Sequence, residues 1–171
     1  MRTHVFLSYS MPVFARQRLF IEALRENLRA RGLEPRTLGV TDYDSDSPLL
    51  AIRRVMLETN GLLCVAFRRR ELVGSASDSK SSERWTTSAY CHIEAAIAFE
   101  LGVPVVMLIE AGVVREGVLR EGVIGPRVPP VDLARPIRPY FRSNEWLQTA
   151  AKWEHQVRTV LDRKGYPRQW Y

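Results

Sequence analysis

The segment Ser88-Ala-Tyr-Cys-His-Ile-Glu94 sets an aromatic ring and a carboxylate four positions apart. A helix opening at Ser88 would stack Tyr90 and Glu94 on one face, about one turn from its positive end. A fixed carboxylate there can stabilise developing positive charge, as in the oxocarbenium-like transition states of glycosidic cleavage, and can hydrogen-bond ribose hydroxyls. O-glycosides also require an acid for the leaving oxygen. A cationic pyridinium on an N-glycosidic bond departs as a neutral base, so one Glu suffices. The competing reading makes Glu94 a helix-face acid paired with an Arg. Cys91 reads as a small packing residue rather than a nucleophile, and His92 points away from Glu94 into a structural or solvent role.

Such a carboxylate needs a scaffold, and the apolar pattern supplies one. Runs at residues 5–8, 62–67 and 103–109, with a weaker one at 33–38, carry strand character. Helical spacing places Phe20, Ile21, Leu24 and Leu28 on one stripe of a helix over 14–31 that stops at Gly32. Ser47 and Pro48 open a second helix that carries Ile52, Val55, Met56 and Thr59, and a third runs over 88–101 until Gly102 and Pro104. Alternating strands and helices predict an open, doubly wound parallel α/β sheet with helices on both faces, whose ligands bind beyond the carboxyl ends of the strands. Those ends lead into residues 8–12, 39–47, 68–87 and 110 onward. Residues 111–142 mix Gly, Pro and Arg and include the near-duplication REGVLREGVI; they are expected to cover a sheet edge or the site mouth. Ser143 caps a C-terminal amphipathic helix over 143–164 bearing Trp146, Ala150, Trp153, Val157, Val160 and Leu161.

The 171 residues, 46% hydrophobic and 26% charged, exclude a disordered or fibrous chain and fit one domain, 1–171, with its core at about 4–110. The net charge of +6 comes from 22 Arg and three Lys. The arginines are scattered, and the one tight cluster, Arg68, Arg69 and Arg70, lacks interleaved aromatics, so no nucleic-acid partner is expected. The opening MRTHVFLSYS has no long apolar core of a leader peptide, and no apolar run approaches the roughly 18–20 residues of a membrane span. A cytoplasmic protein without a membrane partner is expected. Cys64 and Cys91 lack zinc-motif spacing and read as free thiols, and no metal is expected.

His4-Val-Phe-Leu-Ser-Tyr-Ser10 resembles the first strand of Toll/interleukin-1 receptor (TIR) domains, and Ser88 to Glu94 resembles that family's S-x-(W/Y)-C-x-x-E motif. The order of the intervening elements also agrees, with an acidic loop at Asp42, Asp44 and Asp46, over residues 4–110. The resemblance implies a flavodoxin-like sheet and Glu94 as the catalytic residue at the nicotinamide ribose of NAD, which is substrate rather than bound cofactor. It further implies Tyr90 as the aromatic ahead of the glutamate, and Ser8, Tyr9 and Ser10 lining the nucleotide pocket. Asp42 takes the acidic position of a loop that gates the site and mediates assembly. Self-association or a separate effector protein, and a role in bacterial antiviral immunity through NAD loss or a signal nucleotide, are implied in the same way. The chain departs from the family pattern at Ser10-Met-Pro-Val-Phe-Ala, which lacks an acidic residue, and at Ser47-Pro48, where a Gly is usual. Two alternatives stay open. Glu94-Ala-Ala-Ile-Ala with Gly102-Val-Pro-Val also resembles the nucleoside deoxyribosyltransferases, in which the Glu is a nucleophile, and a non-catalytic scaffold can use the same fold.

Overall fold

A computed structural model describes residues 3–42, 47–72 and 84–162. Its strands are β1 (Thr3–Tyr9), β2 (Leu33–Arg36), β3 (Leu62–Ala66), β4 (Arg70–Glu71), β5 (Trp85–Thr86) and β6 (Val105–Ile109). Its helices are α1 (Ala15–Ala30), α2 (Pro48–Glu58), α3 (Ala89–Glu100), a short α4 (Ile137–Tyr140) and α5 (Asn144–Asp162). The four expected strands form one wholly parallel sheet in the order β2-β1-β3-β6. This is the doubly wound, flavodoxin-like arrangement, with its topological switch beside β1.

Side-chain alternation along β1 sorts the two faces. Val5 and Leu7 point to one layer with Phe20, Leu24 and Leu28 of α1 and Trp146, Trp153 and Val157 of α5. Phe6 points to the other, with Ile52, Val55 and Met56 of α2 and Cys91, Ala95 and Ala98 of α3. β3 and β6 are buried along their whole length, as strands covered on both faces must be. Gly32, at φ 74°, lets the chain leave α1 directly into β2.

The C-terminal helix docks on the parent sheet. Ser143 Oγ accepts the Trp146 N–H at 3.3 Å, and the two indole N–H groups donate to Asn27 Oδ1 at 2.9 Å and to the Pro104 carbonyl at 3.1 Å. Gly61 is a packing requirement, because a Cβ there would collide with Val157 and lie 3.0 Å from Trp153. Residues 111–142 cover the sheet edge rather than the site mouth. Val131 takes a fifth-strand position, donating its N–H to the Ile109 carbonyl at 2.8 Å and accepting from Ala111 N at 2.9 Å. At matching positions the two near-copies differ in burial: Leu119 is buried where Ile124 is only partly so, and Val118 is partly buried where Val123 is half exposed. Two details depart from the sequence reading. Pro48 does open α2, yet Ser47 makes no side-chain cap. The antiparallel pair β4–β5 is two residues long, with β4 exposed and β5 half-buried, so it leaves no hydrophobic alternation to read. Among the described residues, no helix is long and apolar enough to cross a membrane.

Candidate active site

α3 is fixed at its start by Ser88, whose hydroxyl accepts the Tyr90 N–H at 3.3 Å. Its inner strip of Cys91, Ala95 and Ala98 consists of small residues, so the helix lies close against the sheet. Glu94 falls on that strip and is only 7% exposed. Facing it is Ser8, which alternation turns to the same side of β1 as Phe6. The Ser8 hydroxyl donates to Glu94 Oε2.

This single hydrogen bond does not offset the loss of water. Burial raises the Glu94 carboxyl from 4.5 to about 7, with the Ser8 bond opposing the shift. The group is therefore poised to be half ionised near neutrality. Beneath it, Cys64 is fully buried, and its thiol is pushed up by its hydrogen bond with Cys91, by burial, and by the Glu94 charge. That thiol stays protonated and unreactive. Both cysteines are free.

A cavity of about 190 Å³ opens beside the carboxylate, lined among others by Ser8, Ser10, Thr37, Arg69, Tyr90 and Glu94. It sits at the carboxyl rim of the sheet, between the ends of β1 and β2 and the first turn of α3. Ser10 is held by accepting the Phe67 N–H at 3.2 Å, and its hydroxyl lies 3.4 Å from that of Thr87. Tyr90, 45% exposed, borders the cavity from the same helix face as Glu94. A larger hollow of about 650 Å³ lies between α2 and α3, but it is walled mainly by Leu49, Leu50, Ala96, Ile97 and Leu101 and presents no buried reactive group. Volume alone is therefore a poor guide to the chemistry. Among the described residues, no group of three His, Cys, Asp or Glu is placed to hold a metal ion.

The fold thus brings Ser8, Ser10, Tyr90 and Glu94 together. Tyr9 borders the cavity but belongs to the opposite face: its hydroxyl accepts from Arg25 Nη2 at 3.0 Å, with the guanidinium 5.7 Å from the ring centre. Its ring is turned to the other side of β1 from Ser8, as the period of two along a strand requires. Asp42 stands apart from this group. It is ion-paired with Arg36 at the end of β2, accepts from Thr41 Oγ1 at 2.8 Å, and does not line the cavity. The Arg36 hydrogen bond holds its carboxyl below the usual range. Asp44 and Asp46 lie outside the described residues. Arg69 and Thr37 were not singled out from sequence. For Arg69 the signal was present, since the only tight Arg cluster immediately follows an apolar strand.

No protein-family model matches the chain, and no curated protein matches it in sequence. Among solved structures it is similar to a conserved protein from Enterococcus faecalis, at 17% identity over 68% of this chain and 69% of the other, with a TM-score of 0.41. It is also similar to the TIR domains of the activated Roq1 resistosome, a structure described as directly recognizing the pathogen effector XopQ. That similarity is at 14% identity over 96% of this chain and 90% of the other, with a TM-score of 0.42.

Proposed function

We propose that this chain is a TIR-like NAD glycohydrolase or cyclase in which Glu94 drives release of nicotinamide. The observation that carries the reading is one carboxylate, buried at the edge of a sugar-sized cavity on the carboxyl rim of the sheet and held by a single hydroxyl. In the reaction, the bond between the ribose C1′ and the pyridinium nitrogen breaks, and its electron pair neutralises the departing nicotinamide. Ionised Glu94 faces the resulting ribosyl cation and stabilises it in a site where little water screens the charge. A water molecule then adds to C1′ and loses a proton, giving ADP-ribose; capture by an adenine nitrogen instead gives a cyclic product. Ser8 orients the carboxylate, and Tyr90 supplies an aromatic surface at the mouth. The product, or the loss of NAD, would serve as a signal in bacterial antiviral defence, acting through self-association or a separate effector protein.

The test is incubation of the purified protein with NAD and measurement of free nicotinamide, at low and high protein concentration, with Glu94→Gln as control. Release that depends on Glu94 supports the reading. Exchange of bases on a deoxynucleoside, with a sugar trapped on Glu94, would replace it with the transferase. No turnover of either substrate at any concentration would leave a scaffold.

A further inference from the structure

We propose that Arg69 is the anion anchor of this site, receiving the pyrophosphate of a dinucleotide whose ribose end reaches Glu94. The inference rests on the N-glycosidic reading of Glu94 for the identity of that ribose end. Three consecutive arginines leave β3, and the structure gives them different fates. Arg68 donates through its guanidinium to the Ala111 carbonyl, lies 3.8 Å from Glu110, and sits over the Trp85 ring at 6.0 Å. Arg70 enters β4. Arg69 is anchored through its backbone N–H to the Thr86 carbonyl at 2.9 Å, while its exposed side chain borders the Glu94 cavity. Among the described residues its guanidinium has no hydrogen-bond or ion-pair partner.

A cation facing a cavity with no protein counter-charge is suited to a ligand that brings one. The guanidinium fork matches two phosphate oxygens at once. Arg69 is not among the groups that move the Glu94 carboxyl, so cation and carboxylate are not paired with each other. The site is therefore bipolar, with an acidic floor and a basic border. A substrate with a pyridinium at one end and phosphates further along matches that order of charges. Size points the same way: about 190 Å³ falls below the roughly 300–1,000 Å³ of sites that enclose whole small ligands. The cavity can take a sugar and part of a base, and the phosphates must then lie across the mouth where Arg69 stands. A free nucleoside would leave Arg69 unused, so the residue would select dinucleotides over nucleosides.

Calorimetric titration of the whole chain with ADP-ribose, in phosphate-free buffer, tests this for the wild type, Arg69→Gln and Arg69→Lys. The Gln variant is expected to bind about tenfold more weakly or worse, as loss of a charge-assisted pair requires, with Lys in between. Arg69 is exposed, so an unchanged melting temperature should accompany the loss. Equal affinity in wild type and Gln variant, equal weakening by Gln and Lys, or no wild-type binding at millimolar ADP-ribose would overturn the proposal. Nicotinamide release judges the Glu94 reading separately. Wild type that binds ADP-ribose through Arg69 yet releases no nicotinamide sinks the reaction and keeps the anchor, and turnover with Arg69-independent binding does the reverse.

Discussion

Two glutamates end up equally buried at the carboxyl rim of the same sheet, each 7% exposed, and their surroundings differ. Glu110, just past β6, accepts from Gln17 Nε2 and from the Arg68 backbone N–H, both at 2.8 Å, with the Arg68 guanidinium nearby. Gln17 also donates to the Arg68 carbonyl at 3.0 Å, so the cluster ties the first turn of α1 to the ends of β3 and β6. Among the described residues Glu94 has one hydroxyl donor, no neighbouring cation acting on it, and a cavity at its side. Equal burial thus leaves one carboxylate fully partnered and the other short of donors beside open space, and only the second is free to meet a ligand in the manner proposed.

The strongest way to break this contrast is to neutralise each acid in turn. Glu94→Gln is expected to lower nicotinamide release by about a thousandfold or more while leaving the fold intact. Glu110→Ala is expected to do the reverse, costing about 2–4 kcal/mol of stability by orphaning buried donors, with activity per folded molecule changed only a few-fold. A chemical denaturation curve and a nicotinamide assay on both variants decide the matter; equal catalytic losses would sink the distinction.

Protonation sharpens it next. The folded-state pKa of Glu94, about 7, lies above the 4.5 of an unperturbed carboxyl, so the native state holds this proton more tightly than the unfolded chain. Stability contributed by the neutral acid is therefore present below about pH 4.5 and is lost as pH rises through about 7, amounting to about 3 kcal/mol over that window. Denaturation at stepped pH should show this slope in the wild type and its absence in Glu94→Gln, which should be the more stable protein at pH 8. Turnover should run oppositely, rising about tenfold per unit toward pH 7 and then levelling, because the ionised form stabilises the cation.

Smaller effects test the supports. Ser8→Ala removes the donor that, among the described residues, favours the ionised acid, so the inflection of the pH–rate profile should move above 7, with a loss at pH 7 of roughly three- to tenfold. An unmoved inflection would show that Ser8 does not set the charge on Glu94.

The strands were legible because continuous apolar runs at 62–67 and 103–109 can only be buried on both faces, and the helix stops because Gly32 and Gly102 take positive φ. Glu94 and Tyr90 were legible as a pair because helical spacing sets them on one face, whereas Ser8, Tyr9 and Ser10 were reached through the resemblance of the first strand to TIR domains. What escaped depends on choices between elements. Nothing local in Asp42 says that Arg36, six residues earlier, will occupy it, or that the Arg69 guanidinium will find no partner among the described residues while Arg68 is consumed by Glu110 and Ala111. Gln17, wholly buried on the same helical stripe as Phe20, Leu24 and Leu28, is the same lesson: spacing turns it inward, yet nothing local says that its amide will meet Glu110, 93 residues away, and the Arg68 carbonyl.

The docking of α5 carries a practical corollary. Its last turns press on Gly61, on the Pro104 carbonyl and, through Arg158, on the Arg31 carbonyl, which all lie where strands begin rather than where they finish. A fluorophore or sensor-chip linkage on the exposed Asp162 would thus hang from the pole of the molecule opposite Glu94, so that immobilised protein presents the Glu94 cavity to the flowing analyte.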